Sequence, residues 1–167
     1  MKANVGLAII KKTMREITGD IFKIYSWSST PSTAKLALCV TTNGVVKKRN
    51  KNAVMGAGIA KAFAGRYPQL PAILGRKLIE SGNQVHHLLS LGNVDIISFP
   101  TKHHWRDRSD LNLIIISTRT LAILASSEPD CTFVLPKPGC GLGGLSWSEV
   151  KNMLSPILPD NCWIINL

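Results

Sequence analysis

The stretch "KNAVMGAGIAKAF", Lys51–Phe63, decides how this chain is read. It sets two glycines, Gly56 and Gly58, at the head of an amphipathic helix, shortly after an apolar strand. One glycine is enough for a flexible entry. A pair suggests that something approaches the backbone closely, and phosphate is the usual candidate at a helix start. A second stretch of the same type, "PGCGLGG" (Pro138–Gly144), follows a second apolar run and feeds a second helix. Two such loops at the carboxyl ends of strands are able to face one another and grip a diphosphate with backbone N–H groups. Neither fits the dinucleotide fingerprint GxGxxG with a downstream acid, and neither contains GxxxxGK[ST]. Dehydrogenase and P-loop readings therefore fail.

The rest of the chain alternates strands with helices. "MREITGDIF" reads as a short strand turning at Gly19-Asp20, and "YSWSSTPSTAK" as a loop. "LALCVTTN" is a strand covered on both faces. "AILGRKLIESGN" is a helix ending at Gly82, and "QVHHLLSLGNVDIISFP" gives two strands joined by a turn at Gly92-Asn93. "SDLNLIIISTRTLAILASS" is torn between its β-branched core and a helical face; length favours helix, capped by Ser109 or Asp110. "CTFVLPKPG" is a buried strand, "SWSEVKNMLSPIL" a helix capped by Ser146 or Ser148, and "NCWIINL" a final strand. The pattern predicts an α/β chain, a three-layer α/β/α sandwich on a mixed central sheet.

Composition narrows the class of function. A chain of 167 residues with 45% hydrophobic content makes one domain with a real core. No apolar run reaches the roughly 18 residues of a membrane span. The four cysteines form no CxxC pair and read as buried free thiols in a reducing, cytoplasmic setting. Residues 1–13 are read as an N-terminal extension or extra strand, with residues 14–167 as the domain and Met14 as an alternative start. The net charge of +10 concentrates in "KKRNK" (Lys47, Lys48, Arg49, Lys51) and "KHHWRDR" (Lys102–Arg108), patches that suit polyanionic partners. His103 and His104 follow His86 and His87, but adjacent strand histidines point to opposite faces and no acid or cysteine completes a set, so no metal site is expected.

Taken in order, "GDIF", "TTN", "VMGAGIAKAF" and "PGCGLGGLSW" resemble the pieces of a macrodomain, the ADP-ribose-binding fold, from Met14 to Leu167. "FPTKHHWR" narrows the likeness to the branch of terminal ADP-ribose glycohydrolases and of antitoxins that reverse ADP-ribosylation of DNA. The resemblance implies roles. Asp20 would accept from the adenine amine, with the Ile21 N–H on a ring nitrogen, and Asn43 would bond the distal ribose. Met55, Gly56, Ala57, Gly58 and Ile59 would wrap one side of the diphosphate. Gly139, Cys140, Gly141, Leu142 and Gly143 would wrap the other.

The same resemblance makes Lys102 the catalytic candidate, with Asn43 orienting. Lys102 would either add to the opened sugar or hold the substrate and polarise the scissile bond. The first role needs an uncharged amine, which partial burial beside Arg106 would favour. Some relatives carry an aspartate where this chain has Gly143, which points to Lys102 plus an ordered water. His103, Trp105 and Arg106, together with the Lys47–Lys51 patch, are candidate nucleic-acid contacts. The expected function is removal of ADP-ribose from a modified macromolecule, nucleic acid before protein, by a monomer that needs no cofactor and touches no membrane. The alternatives are a non-catalytic reader or sink of ADP-ribose and a phosphatase acting on ADP-ribose 1″-phosphate.

Overall fold

The computed structural model of the chain describes residues 14–26 and 34–167. The expected loop at Trp27–Ser32 and the expected extension at 1–13 lie outside those residues. Six strands form one sheet in the order β1-β6-β5-β2-β4-β3. They are β1 (Arg15–Thr18), β2 (Lys35–Asn43), β3 (His86–Leu91), β4 (Val94–Lys102), β5 (Cys131–Pro136) and β6 (Cys162–Asn166). All neighbours pair in parallel except β3, which returns antiparallel along β4 through the Gly92-Asn93 turn.

Alternation along β2 shows why the sheet is covered twice. Leu36, Leu38 and Val40 enter one apolar cluster, shared with Phe63 of α1 (Gly58–Arg66) and with Leu70, Leu74 and Leu78 of α2 (Leu70–Ser81). Ala37 and Cys39 enter the other, against Ile114, Leu121 and Ala125 of α3 (Leu111–Ser127) and Val150 and Leu154 of α4 (Trp147–Leu154). A strand apolar at every position needs helices on both faces, and this one has them. The mixed sheet and three layers are the architecture expected from the sequence.

The helix ends follow local chemistry. α1 stops at Arg66, before Pro68, and α2 ends on Gly82, whose φ of 83° suits glycine. The β-branched segment forms α3, because burial of one face across 17 residues outweighs the strand preference of "IIIST". Its cap is Asp110, whose carboxylate accepts from the N–H groups of Asn112 and Leu113. Ser146 caps α4 by backbone conformation alone, its hydroxyl meeting that of Ser148 at 2.9 Å. Cys39, Cys131 and Cys162 are buried free thiols, whereas Cys140 is only half buried. Desolvation pushes the Cys131 and Cys162 thiols up to about 12, which keeps them protonated and inert.

Candidate functional site

The parallel strands end together on one edge of the sheet, and a cleft of about 910 Å³ opens there. Its floor includes Thr41, Thr42 and Asn43 from the end of β2, and Thr101 and Lys102 from the end of β4. One wall is the first glycine loop, Gly56, Ala57, Gly58 and Ile59; the other is the second, Gly139 through Gly143. The loops meet: a Cβ placed on Gly58 would stand 3.7 Å from the Leu142 side chain. A volume of this size holds a nucleotide-sized ligand. Lys102, Arg106 and Lys137 line it, and no Asp or Glu side chain does among the described residues. That charge balance suits a diphosphate.

The loops are tied to their strands by side chains. Asn43 Nδ2 donates to the Val54 carbonyl at 2.9 Å, and its Oδ1 accepts from Val45 N at 3.0 Å. Asn43 thus pins the segment entering the first loop, besides facing the cleft. The second loop is held by Ser109 N donating to Gly143 O at 3.1 Å, Leu145 N to Gly139 O at 2.9 Å, and Arg108 Nη2 to Gly144 O at 2.7 Å. Lys102 is half buried. Its Nζ donates to Leu142 O at 3.3 Å and to Trp105 O at 3.5 Å, across the cleft mouth.

The cleft brings together Asn43, Lys102, Trp105, Arg106, Gly56 to Ile59 and Gly139 to Gly143. It does not include Met55, which is buried in the core, nor Asp20 and Ile21. Asp20 stands at the mouth of a 3-10 helix, Ile21–Ser26, where its Oδ1 accepts from Phe22 N at 2.9 Å. It is joined to the cleft edge by Gly19 N donating to Asn166 O at 3.0 Å. The Ile21 side chain is core; its N–H, at the helix start, has no intrahelical acceptor.

The basic candidates divide. Lys47, Lys48, Arg49 and Lys51 are exposed on a tight loop closed by the Val46–Ala53 bridge and do not line the cleft. His103 is also outside it, with Nε2 3.0 Å from Asp110 Oδ2. Trp105 is 45% exposed at the rim, with the Arg106 guanidinium 4.5 Å from its ring centroid and the His104 ring stacked at 5.5 Å.

Sequence reading missed three residues here. Asn83 Nδ2 donates to Lys102 O at 2.9 Å and fixes the lysine's backbone. Arg108 holds the second loop, and Ser109 lies buried beneath it. Asn83 reads as part of a helix stop, and Ser109 as a rival helix cap. Nothing in the local pattern marks either as part of a site.

No family profile matches the sequence. A DNA ADP-ribosyl glycohydrolase of Mycobacterium tuberculosis is 31% identical over 124 residues, 68% of this chain and 34% of that protein. The macrodomain of Mycobacterium tuberculosis DarG superposes with a TM-score of 0.68 at 25% identity, covering 92% of this chain and 97% of the other. Thermosipho africanus DarTG, in complex with ADP-ribose, superposes with a TM-score of 0.70 at 23% identity, covering 95% and 43%. Fold, cleft and relatives together make this chain a macrodomain. Within that family it resembles the DNA ADP-ribosyl glycohydrolase branch. It spans about a third of the length of the curated relatives it matches.

Proposed function

We propose that this domain binds ADP-ribose in the cleft and hydrolyses the bond that joins it to a DNA carrier. The observation that supports this most is the meeting of two glycine loops over a carboxylate-free cleft, with the Lys102 amine between the β4 end and the second loop. In this reading the loop N–H groups take the diphosphate, the proximal end of the ligand runs toward Asp20, and the distal ribose lies over Asn43 and Lys102. Water adds to the anomeric carbon, the glycosidic bond breaks, and the carrier leaves with a proton. Lys102 holds the substrate and polarises the breaking bond, with no cofactor. The names of the relatives favour DNA over protein as carrier, and the basic loop at Lys47–Lys51 favours a polyanion.

A specific observation favours a second reading, that of a reader without turnover. No carboxylate lines the cleft among the described residues, so a proton acceptor for water is missing from the side chains there. Incubation with ADP-ribosylated DNA, RNA and protein, followed by assay of released ADP-ribose, separates the two. Release from DNA alone supports the hydrolase; binding of ADP-ribose with no release from any carrier supports the reader.

A further inference from the structure

The second glycine loop makes one contact that is incompatible with gripping a diphosphate. Lys102 Nζ donates to the Leu142 carbonyl at 3.3 Å, so the loop turns an acceptor toward the cleft at that peptide. A phosphate oxygen needs donors there and is repelled by a carbonyl oxygen. The loop's own geometry offers a way out. Gly144 N donates to Gly141 O at 3.1 Å, which closes a β-turn with Leu142 and Gly143 at its centre. Neither central residue has a positive φ, which makes the turn type I. Rotating the Leu142–Gly143 peptide by about half a turn gives a type II turn closed by the same bond. That form needs a positive φ at its third residue, and Gly143 supplies it without strain.

Beneath that peptide is a group waiting for a partner. Ser109 is 8% exposed, and its Oγ is buried with no hydrogen-bond partner among the described residues. It packs so closely that a Cβ on Gly143 would stand 2.1 Å from Ser109 Oγ and 2.4 Å from Gly139 O. Asp110 has taken the α3 cap, so the hydroxyl has no role at the helix start. A buried hydroxyl left unpaired is costly, and a fold keeps one where another state uses it.

We propose that ligand binding flips the Leu142–Gly143 peptide and that Ser109 is the positioning residue that receives it. In the flipped turn the Gly143 N–H faces the diphosphate, and the Leu142 carbonyl leaves Lys102 and accepts from the Ser109 hydroxyl. Lys102 is then free for the distal ribose. The resting contact between Lys102 and Leu142 is a latch that the ligand releases. This inference rests on the ADP-ribose reading of the cleft.

The test is Ser109→Ala, read three ways. The variant loses an unpaired buried hydroxyl, so its unliganded Tm should equal or exceed the wild-type value. Its affinity for ADP-ribose by calorimetry should fall about tenfold, because the flipped carbonyl has lost its donor. In the wild type, ADP-ribose should move the Gly143 amide resonance strongly, and a structure of the complex should show Leu142 O on Ser109. A merely structural serine would lower Tm and leave affinity alone. Wild-type affinity in Ser109→Ala, or a complex with Leu142 O still on Lys102, overturns the proposal and leaves ADP-ribose binding standing. Failure of the wild type to bind ADP-ribose overturns the reading of the cleft, and the flip with it.

Discussion

Asn43 and Lys102 face each other across the last rung between β2 and β4, just past a register shift. Thr42 pairs with Pro100 and Asn43 with Lys102, so β4 carries one residue more than β2 at this edge. Such a bulge bends the strand and re-aims the side chain that follows it. The amide that pins the first loop and the amine that touches the second are therefore neighbours because of one extra residue, Thr101, whose hydroxyl donates back to Thr42 O at 3.5 Å.

Lys102→Ala separates enzyme from reader. If Lys102 polarises the scissile bond, release of ADP-ribose from modified DNA should fall by about 10² or more, roughly 2.7 kcal/mol of barrier. Affinity for free ADP-ribose, measured by calorimetry, should change little. Undiminished release from the variant would leave the chemistry to water and loop geometry.

Asp20 does two things that one substitution can part. Its Oδ1 accepts from Phe22 N, and its other oxygen is 3.8 Å from Lys23 Nζ. Asp20→Asn keeps an acceptor for the Phe22 N–H and removes the charge offered to the adenine amine. ADP-ribose affinity should fall by roughly tenfold while Tm holds, since a charge-assisted hydrogen bond contributes about 1.5–3 kcal/mol. Equal affinity would place the adenine elsewhere.

The first loop can be tested at two glycines that differ in backbone. A Cβ on Gly56 meets nothing within 4 Å and its φ is ordinary, so Gly56→Glu should fold normally. Its carboxylate would stand in the diphosphate's space and cut affinity by about 10² or more. Gly58 has a φ of 55°, where an L side chain costs about 1–2 kcal/mol. Gly58→Glu should therefore lose both ADP-ribose binding and stability, measured by denaturant unfolding. Normal binding by Gly56→Glu would make the glycine a packing feature.

At the opposite edge of the sheet, Asp95 is the hinge of a charge network. Lys35 Nζ lies 3.1 Å from its Oδ2, Ser90 Oγ donates to Oδ1 at 2.6 Å, and His87 Nε2 is 3.3 Å away. Desolvation works to raise its pKa, but the bonds from Ser90, Lys35 and His87 outweigh it and leave the carboxyl below its usual range. A depressed folded pKa gives stability that is fully present above the unfolded value of about 3.9 and is lost as pH falls through the folded value. Asp95→Asn should thus have a lower Tm than wild type at pH 7, and the gap should close below about pH 4. A gap that persists at low pH would mean that packing, not charge, holds this network together.

Much of this was written in local pattern. The two-faced apolar run of β2, the glycine at 82, the Gly92-Asn93 turn and the two glycine loops are each properties of a few adjacent residues, because periodicity and φ preference act at short range. They are enough to determine the α/β alternation and to nominate both walls of the cleft. Ionic patches were legible as charge, but charge alone does not say which of them reaches a cleft: Arg106 does and Lys47–Lys51 do not. Asn83 under Lys102, the Thr101 bulge and the unpaired Ser109 hydroxyl under Gly143 join residues 19, 59 and 34 positions apart, counted from 83 to 102, 42 to 101 and 109 to 143. Such contacts exist only once strand register and loop closure are fixed. Tertiary structure decided them, because a hydrogen bond between distant residues is set by where the sheet brings their backbones, and no short window of sequence contains that information.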